Sequence, residues 1–212
     1  MNKKIKIIFF DFDGVILDSM PIRDYGFRKI FENYPTNLVE ELISYHHLNG
    51  GLSRFHKIKY FYNECLKQEI SDEKIEAYAS IFSKIMKQEL INKKYLISQT
   101  VDFIERYHKK IIFHIVSGSE QKELRFLCEQ LGISKYFESI EGSPTHKNDL
   151  VKNIILTKNY DKNEAILIGD SINDYNAASV NKIGFFGFNN EELKSKDKYL
   201  ENFEQLEKIL CH

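Results

Sequence analysis

The chain has 212 residues, 42% hydrophobic and 29% charged, with a formal net charge of -1. That apolar fraction can build a packed core and argues against a disordered chain, and 30 basic against 31 acidic residues leave no cationic surplus for a nucleic-acid backbone. No apolar run reaches the ~18 residues of a membrane span, and the first residues lack a secretory leader pattern, so a cytoplasmic protein with no membrane partner is expected.

In chain order, the first element is a short apolar run from Ile5 to Phe10 that ends in Asp11-Phe12-Asp13-Gly14. Its β-branched and aromatic content predicts a strand buried on both faces, as in a parallel sheet. From about residue 20 to 92 the pattern is helical instead. Pro21–Tyr34, Leu38–His47, Ser53–Lys67 and Ser71–Leu90 carry helix-like periodicity, broken by Pro35 and by Asn49-Gly50-Gly51. Ser71 followed by Asp72 and Glu73 reads as a helix start.

Strand and helix then alternate. Thr100–Lys109 predicts a helix with Val101, Ile104 and Tyr107 on one face, and Ile111–Val116 a strand ending in Ser117-Gly118-Ser119. Glu120–Leu131 is helical, with Gly132 as its stop. Weak strand character at Phe137–Ile140 precedes a helix at Asp149–Lys158 and a strand at Ala165–Ile168, which runs into Gly169-Asp170. Ile172–Val180, Ile183–Phe188 and Phe203–Leu210 complete the series as helix, strand and helix. This alternation predicts an α/β fold: a Rossmann-like parallel sheet covered by helices, with an all-helical segment inserted after the first strand.

In such sheets ligands bind beyond the carboxyl ends of the strands. The predicted strand ends bring together Asp11 and Asp13, the Ser117 hydroxyl, and Asp170 with Asp174, and Lys147 stands just before the helix that leads to the fourth strand. A carboxylate cluster is unfavourable without a cation among its members. Mg²⁺, a hard oxygen-seeking ion that also accepts phosphate oxygens, suits that cluster. One carboxylate could then attack phosphorus while its neighbour two residues on protonates the leaving oxygen. Three widely spaced cysteines, Cys65, Cys128 and Cys211, form no CxxC pair and fit a reducing compartment, and Cys211 is not placed as a prenylation box. Twenty-five lysines against five arginines, with 27 isoleucines and 16 asparagines, suggest AT-rich codons and a bacterial source.

Asp-x-Asp-Gly at 11–14, Ser117, Lys147 and Gly-Asp-x-x-x-Asp at 169–174, in this order, resemble the four motifs of the haloacid dehalogenase superfamily. The helical segment is similar to the C1 cap of its phosphoglycolate phosphatase and β-phosphoglucomutase group. The resemblance implies a core of residues 1–17 and 94–212 and a cap of 18–93. It implies Asp11 as nucleophile and metal ligand, and Asp13 as general acid/base with its backbone carbonyl on the metal. Ser117 and the Gly118 amide would hold phosphoryl oxygens, with Gly14 and Ser119 also at the substrate, and Lys147 would neutralise the nucleophile and the transferring group. Asp170 would ligate Mg²⁺, and Asp174 would hold a metal-bound water or Lys147. One departure is Asn148 after Lys147 where the family often has proline.

Within the cap, Gly-Leu-Ser-Arg at 51–54 resembles a specificity loop, which would set Arg54 against the far end of a substrate. His46, His47 and His56 are read as core or surface histidines rather than metal ligands. The expected activity is Mg²⁺-dependent hydrolysis of a small phosphomonoester (sugar, glycolate, glycerol-type or amino-alcohol phosphate) through an aspartyl-phosphate, by a monomer or weak homodimer. A phosphosugar mutase of the β-phosphoglucomutase type is the alternative. Dehalogenases of this kind lack the second acid that is Asp13 here, and phosphonatases pair an alanine at that position with a cap lysine, for which Lys57 would be the candidate.

Overall fold

The computed structural model describes residues 4–210, so Cys211 lies outside the described residues. Six parallel strands form one sheet in the order β3-β2-β1-β4-β5-β6. They are β1 Ile7–Phe10, β2 Ile112–Glu120, β3 Ser139–Ser143, β4 Ala165–Gly169, β5 Gly184–Phe188 and β6 Lys198–Leu200. β1 is central, with Phe10 level with Ile115 on one side and Ile168 on the other.

Every residue of β1 is buried, and strand alternation divides them between two cores. Ile8 and Phe10 belong to a core with α5 (Ser98–Tyr107), α6 (Gln121–Gln130) and α9 (Phe203–Leu210). Ile7 and Phe9 face a second core with α7 (Lys147–Lys158) and α8 (Ile172–Asn181). Phe10 touches Phe103, Phe113 and Phe203, so truncating it to alanine would cost about 3–5 kcal/mol through lost contact and the cavity left behind.

Between β1 and α5 the chain builds four helices: α1 Met20–Ile30, α2 Thr36–Leu48, α3 Arg54–Tyr60 and α4 Asp72–Glu89. Their apolar stripes meet around Phe27, Phe31, Phe61 and Phe82. Tyr34, Tyr62 and Tyr78 join hydroxyl groups beside that cluster, which satisfies three phenols at an aromatic interior. The chain leaves and re-enters the sheet side by side, where Asp18 N–H donates to Tyr95 C=O and Ile97 N–H to Ile16 C=O.

Several expectations shift on folding. The 53–67 helix divides into α3 and a π turn at Phe61–Cys65, and the buried face of α5 is Thr100, Phe103 and Ile104 rather than Val101, Ile104 and Tyr107. The reason is the position of the sheet, which takes up the wholly apolar ring, Phe103, and leaves Tyr107 only partly covered. β2 continues through Ser117 to Glu120 with a register irregularity after Val116, and edge strand β6 had no sequence signal. Cys65 and Cys128 are unbridged and buried. No helix among the described residues is long and apolar enough to cross a membrane.

Candidate active site

Asp11 follows the last residue of β1, and its N–H continues the ladder by donating to Ile168 C=O. Its carboxylate accepts from the Phe12 N–H at 2.7 Å and from Lys147 Nζ at 2.9 Å. The chain then turns at Gly14, whose φ of +74° suits a residue without Cβ. A Cβ there would stand 1.9 Å from Asp170 Oδ2, so this glycine brings the first loop and the end of β4 into direct contact.

Asp174 lies in the first turn of α8, where it accepts from the Ser171 N–H and hydroxyl and fixes the loop after β4. It also pairs with Lys147, whose ammonium therefore bridges Asp174 and Asp11. Asp11, Asp170 and Asp174 each offer an oxygen within 4.8 Å of the others. Burial, then the Asp174 charge, raise the Asp11 carboxyl to about 7 against the pull of Lys147. Burial and the Asp11 charge likewise hold the Asp170 carboxyl far above its ordinary range. Burial alone would lower Lys147, yet Asp11 and Asp174 hold it above its usual value. Three carboxylates against one ammonium leave net negative charge, and no described donor hydrogen-bonds the Asp170 carboxylate. An oxygen-only donor set with unbalanced charge fits a hard dication such as Mg²⁺.

The other expected residues form a second group. Ser117 is buried in β2 with its Oγ accepting from the Ser119 N–H, and the Ser119 hydroxyl donates to Asp13 Oδ2 at 2.7 Å. Asp13 Oδ1 accepts from Ser19 and, at 2.7 Å, from Arg23 Nε. The Asp13 side chain is thus occupied by Ser19, Arg23 and Ser119. Burial raises the Asp13 carboxyl, but Arg23 and the two serine hydroxyls outweigh it, and the group stays below the ordinary carboxylate range.

The four cap helices close directly over this floor. A Cβ on Gly118 would stand 2.4 Å from the Gly51 carbonyl oxygen, and one on Gly51 would stand 2.8 Å from Asn173. Arg54, beside that loop, is buried and bonds Ser83 and Glu123 at 2.5 and 2.6 Å. Lys57 Nζ bonds His46 Nδ1 at 2.7 Å and the Gly50 carbonyl at 3.2 Å; burial and Arg23 lower this amine to about 7 against the pull of Asp13. His46 is buried and neutral, kept so first by burial and then by Lys57, while His47 is exposed and pairs with Asp24 at 2.9 Å.

Arg23, Glu123 and His46 were absent from the expected site, yet a signal existed. Arg23 lies four residues before Phe27, Glu123 four before Leu127, and His46 four after Leu42, each on the buried stripe of its helix. A charged or titratable group on an apolar stripe needs a buried partner.

Residues 8–188 match the haloacid dehalogenase-like hydrolase family, and the chain belongs to it. Across 196 residues it is 25% identical to a phosphoglycolate phosphatase of Vibrio parahaemolyticus, covering 88% of this chain and 84% of the relative. The fold is similar to that of a β-phosphoglucomutase from Clostridium difficile, with a TM-score of 0.78, 17% identity and coverage of 98% and 97% of the two chains. It is also similar to YfnB, a hydrolase of the same type from Bacillus subtilis bound to magnesium (TM-score 0.71, 17% identity, coverage of 99% and 100%).

Proposed function

We propose that this member of the haloacid dehalogenase-like hydrolase family is a cytoplasmic, Mg²⁺-dependent bacterial phosphatase that hydrolyses a small phosphorylated metabolite through an aspartyl-phosphate on Asp11. The observation that carries the reading is Lys147 held between Asp11 and Asp174, with Asp170 beside them, beyond the ends of parallel strands. The division into a core of 1–17 and 94–212 and a cap of 18–93 rests on the paired backbone at Leu17 and Leu96.

Asp11, Asp170 and the Asp13 backbone carbonyl would hold the ion, with Asp174 acting on it through water. When bound, Mg²⁺ supplies charge neutralisation for the phosphoryl oxygens. Asp11 attacks phosphorus, and the P–O bond to the leaving group breaks as Asp13 gives that oxygen its proton. Water then attacks phosphorus with Asp13 as base, which frees phosphate and restores the Asp11 carboxylate. Lys147 favours the ionised form of Asp11 against burial and offsets charge on the moving group, while Ser117 and the Gly118 amide steady its oxygens. Asp13 is held as the carboxylate needed in the second half, and it would carry the proton for the first only with the Arg23 contact broken.

Phosphate release from a panel of monoesters, with Mg²⁺ and with EDTA, tests this. Release is expected only with the metal. Full turnover in EDTA would overturn the metal assignment, and return of the phosphoryl group to a sugar instead of to water would favour the mutase.

A further inference from the structure

The loop after β5 reaches back over the acids at the floor of the site. Asn189 and Asn190 directly follow Phe188, the last residue of that strand. Asn190 Nδ2 donates to the Asp170 backbone carbonyl at 2.8 Å, and its Oδ1 accepts from the Glu192 N–H at 3.1 Å, so both ends of the amide are used and its orientation is set. Asn189, at a φ of +59° that asparagine tolerates, donates through Nδ2 to the Gly14 carbonyl at 3.1 Å. In the sheet β5 borders β4, and β1 lies beyond it, so Asn189 reaches past the neighbouring strand to the loop after β1. One short segment thereby ties together the two loops that carry Asp13 and Asp170.

Both loops need such ties. Glycine is the least restricted residue of a chain, and the Asp13 carbonyl shares a rigid peptide plane with the Gly14 N–H. That N–H donates to the Leu17 carbonyl at 2.8 Å, and Asn189 holds the following plane by the Gly14 carbonyl, so the planes on either side of Gly14 are both fixed. Asp170 is half-buried, and beside it a cavity of about 450 Å³ opens between Asn189, Asn190 and Glu192 and the cap residues His47 and Gly50. On that side packing does not hold the Asp170 backbone; the Asn190 amide does. Position matters for the ion expected here, because Mg²⁺ demands a near-ideal octahedron of short bonds, whereas Ca²⁺ accepts more oxygens in a looser geometry.

We propose that Asn189 and Asn190 are positioning residues for the metal: they hold the Asp13 carbonyl and Asp170 in a fixed relation, which favours Mg²⁺ over a larger and more adaptable ion such as Ca²⁺. Neither side chain is a ligand, and each acts through the backbone of a loop that supplies one. Contacts of this outer kind orient the groups that touch a metal, and losing them commonly weakens binding by about 10–100-fold. The proposal rests on the Mg²⁺ reading above and extends the site to β5, a strand that contributes no ligand to it.

The test is equilibrium metal binding without substrate, with free Mn²⁺ followed by its EPR signal while Mg²⁺ or Ca²⁺ is added as competitor. Asn189→Gly removes one donor and suits a backbone at a φ of +59°; Asn190→Ser is too short to reach Asp170 but keeps an oxygen to cap the Glu192 N–H. In the double variant the Mg²⁺ Kd should rise by about tenfold or more and the Ca²⁺ Kd by less than about threefold. An unchanged Mg²⁺ Kd, or equal losses for the two ions, would overturn the proposal while leaving the Mg²⁺ reading in place. A wild-type protein that binds neither Mn²⁺ nor Mg²⁺ would remove that reading and the proposal with it. If the double variant does not fold, the two single variants decide by the same comparison of ions.

Discussion

The floor and the roof of the site are built in opposite ways. On the floor, Asp11 and Asp170 directly follow neighbouring strands and Asp174 opens a helix, so the backbone ladder sets their spacing; Phe10 and Ile168 are already level before either acid begins. In the roof, Arg23 and Arg54 reach from two cap helices to Asp13 and Glu123 through long side chains alone. On the proposed reading, the chemistry belongs to the half whose spacing the backbone sets, and selection to the half held by long side chains, which is the easier of the two to repack.

The sharpest way to break this contrast is at the nucleophile. Asp11→Asn keeps the shape of the floor and removes its attacking charge, so turnover should fall at least ~10³-fold with the fold retained. Phosphate release near the wild-type rate would show that the floor does not carry the reaction. In the roof, Arg54→Ala should lower kcat/KM for the metabolite substrate by about 10–100-fold, the scale of one charge-assisted hydrogen bond, and by a smaller factor for p-nitrophenyl phosphate. Equal losses on the two substrates would assign Arg54 to cap closure in general.

Gly118→Ala probes the seam between the halves. Its methyl would meet the Gly51 carbonyl oxygen at 2.4 Å, so the cap loop must move outward and KM should rise by about 3–10-fold in steady-state assays. An unchanged KM would mean that the seam is looser than its contacts. The smallest effect on activity is expected far from the cap, at His114. Its ring stacks on Phe9 and bonds Ser139 and Tyr160, and burial lowers it to about 4. Between its ordinary value near 6.5 and about 4 the unfolded chain binds the extra proton, so stability is full above that window and falls as pH drops through it. The loss is on the order of 3 kcal/mol, and His114→Phe should flatten this part of the melting-temperature profile. A wild-type profile no steeper than the variant's would show that the buried ring does not set the acid limit of the floor.

The floor was legible in the chain because its residues come in short runs at strand ends. Asp11-Phe12-Asp13-Gly14 and Gly169-Asp170 follow apolar runs whose length and branching already imply parallel strands. Lys147 was placed by motif order, and the fold brings it to Asp174, 27 residues later, and to Asp11, more than a hundred residues earlier. Arg54 was singled out beside the Gly50-Gly51 break, but not its partner, since nothing local links it to Glu123, 69 residues later. Edge strand β6 and the π turn after α3 were missed because three residues or one extra hydrogen-bond step leave no periodic signature.

Periodicity and residue order were therefore enough for five of the six strands, the inserted helices and the acids at the strand ends, because each depends on neighbours within a few positions. The pairing of Asp13 with Arg23, of Arg54 with Glu123 and of Lys57 with His46 came only with folding. Such pairs depend on how two packed units meet, and a buried charge reveals its partner only once desolvation has made one necessary.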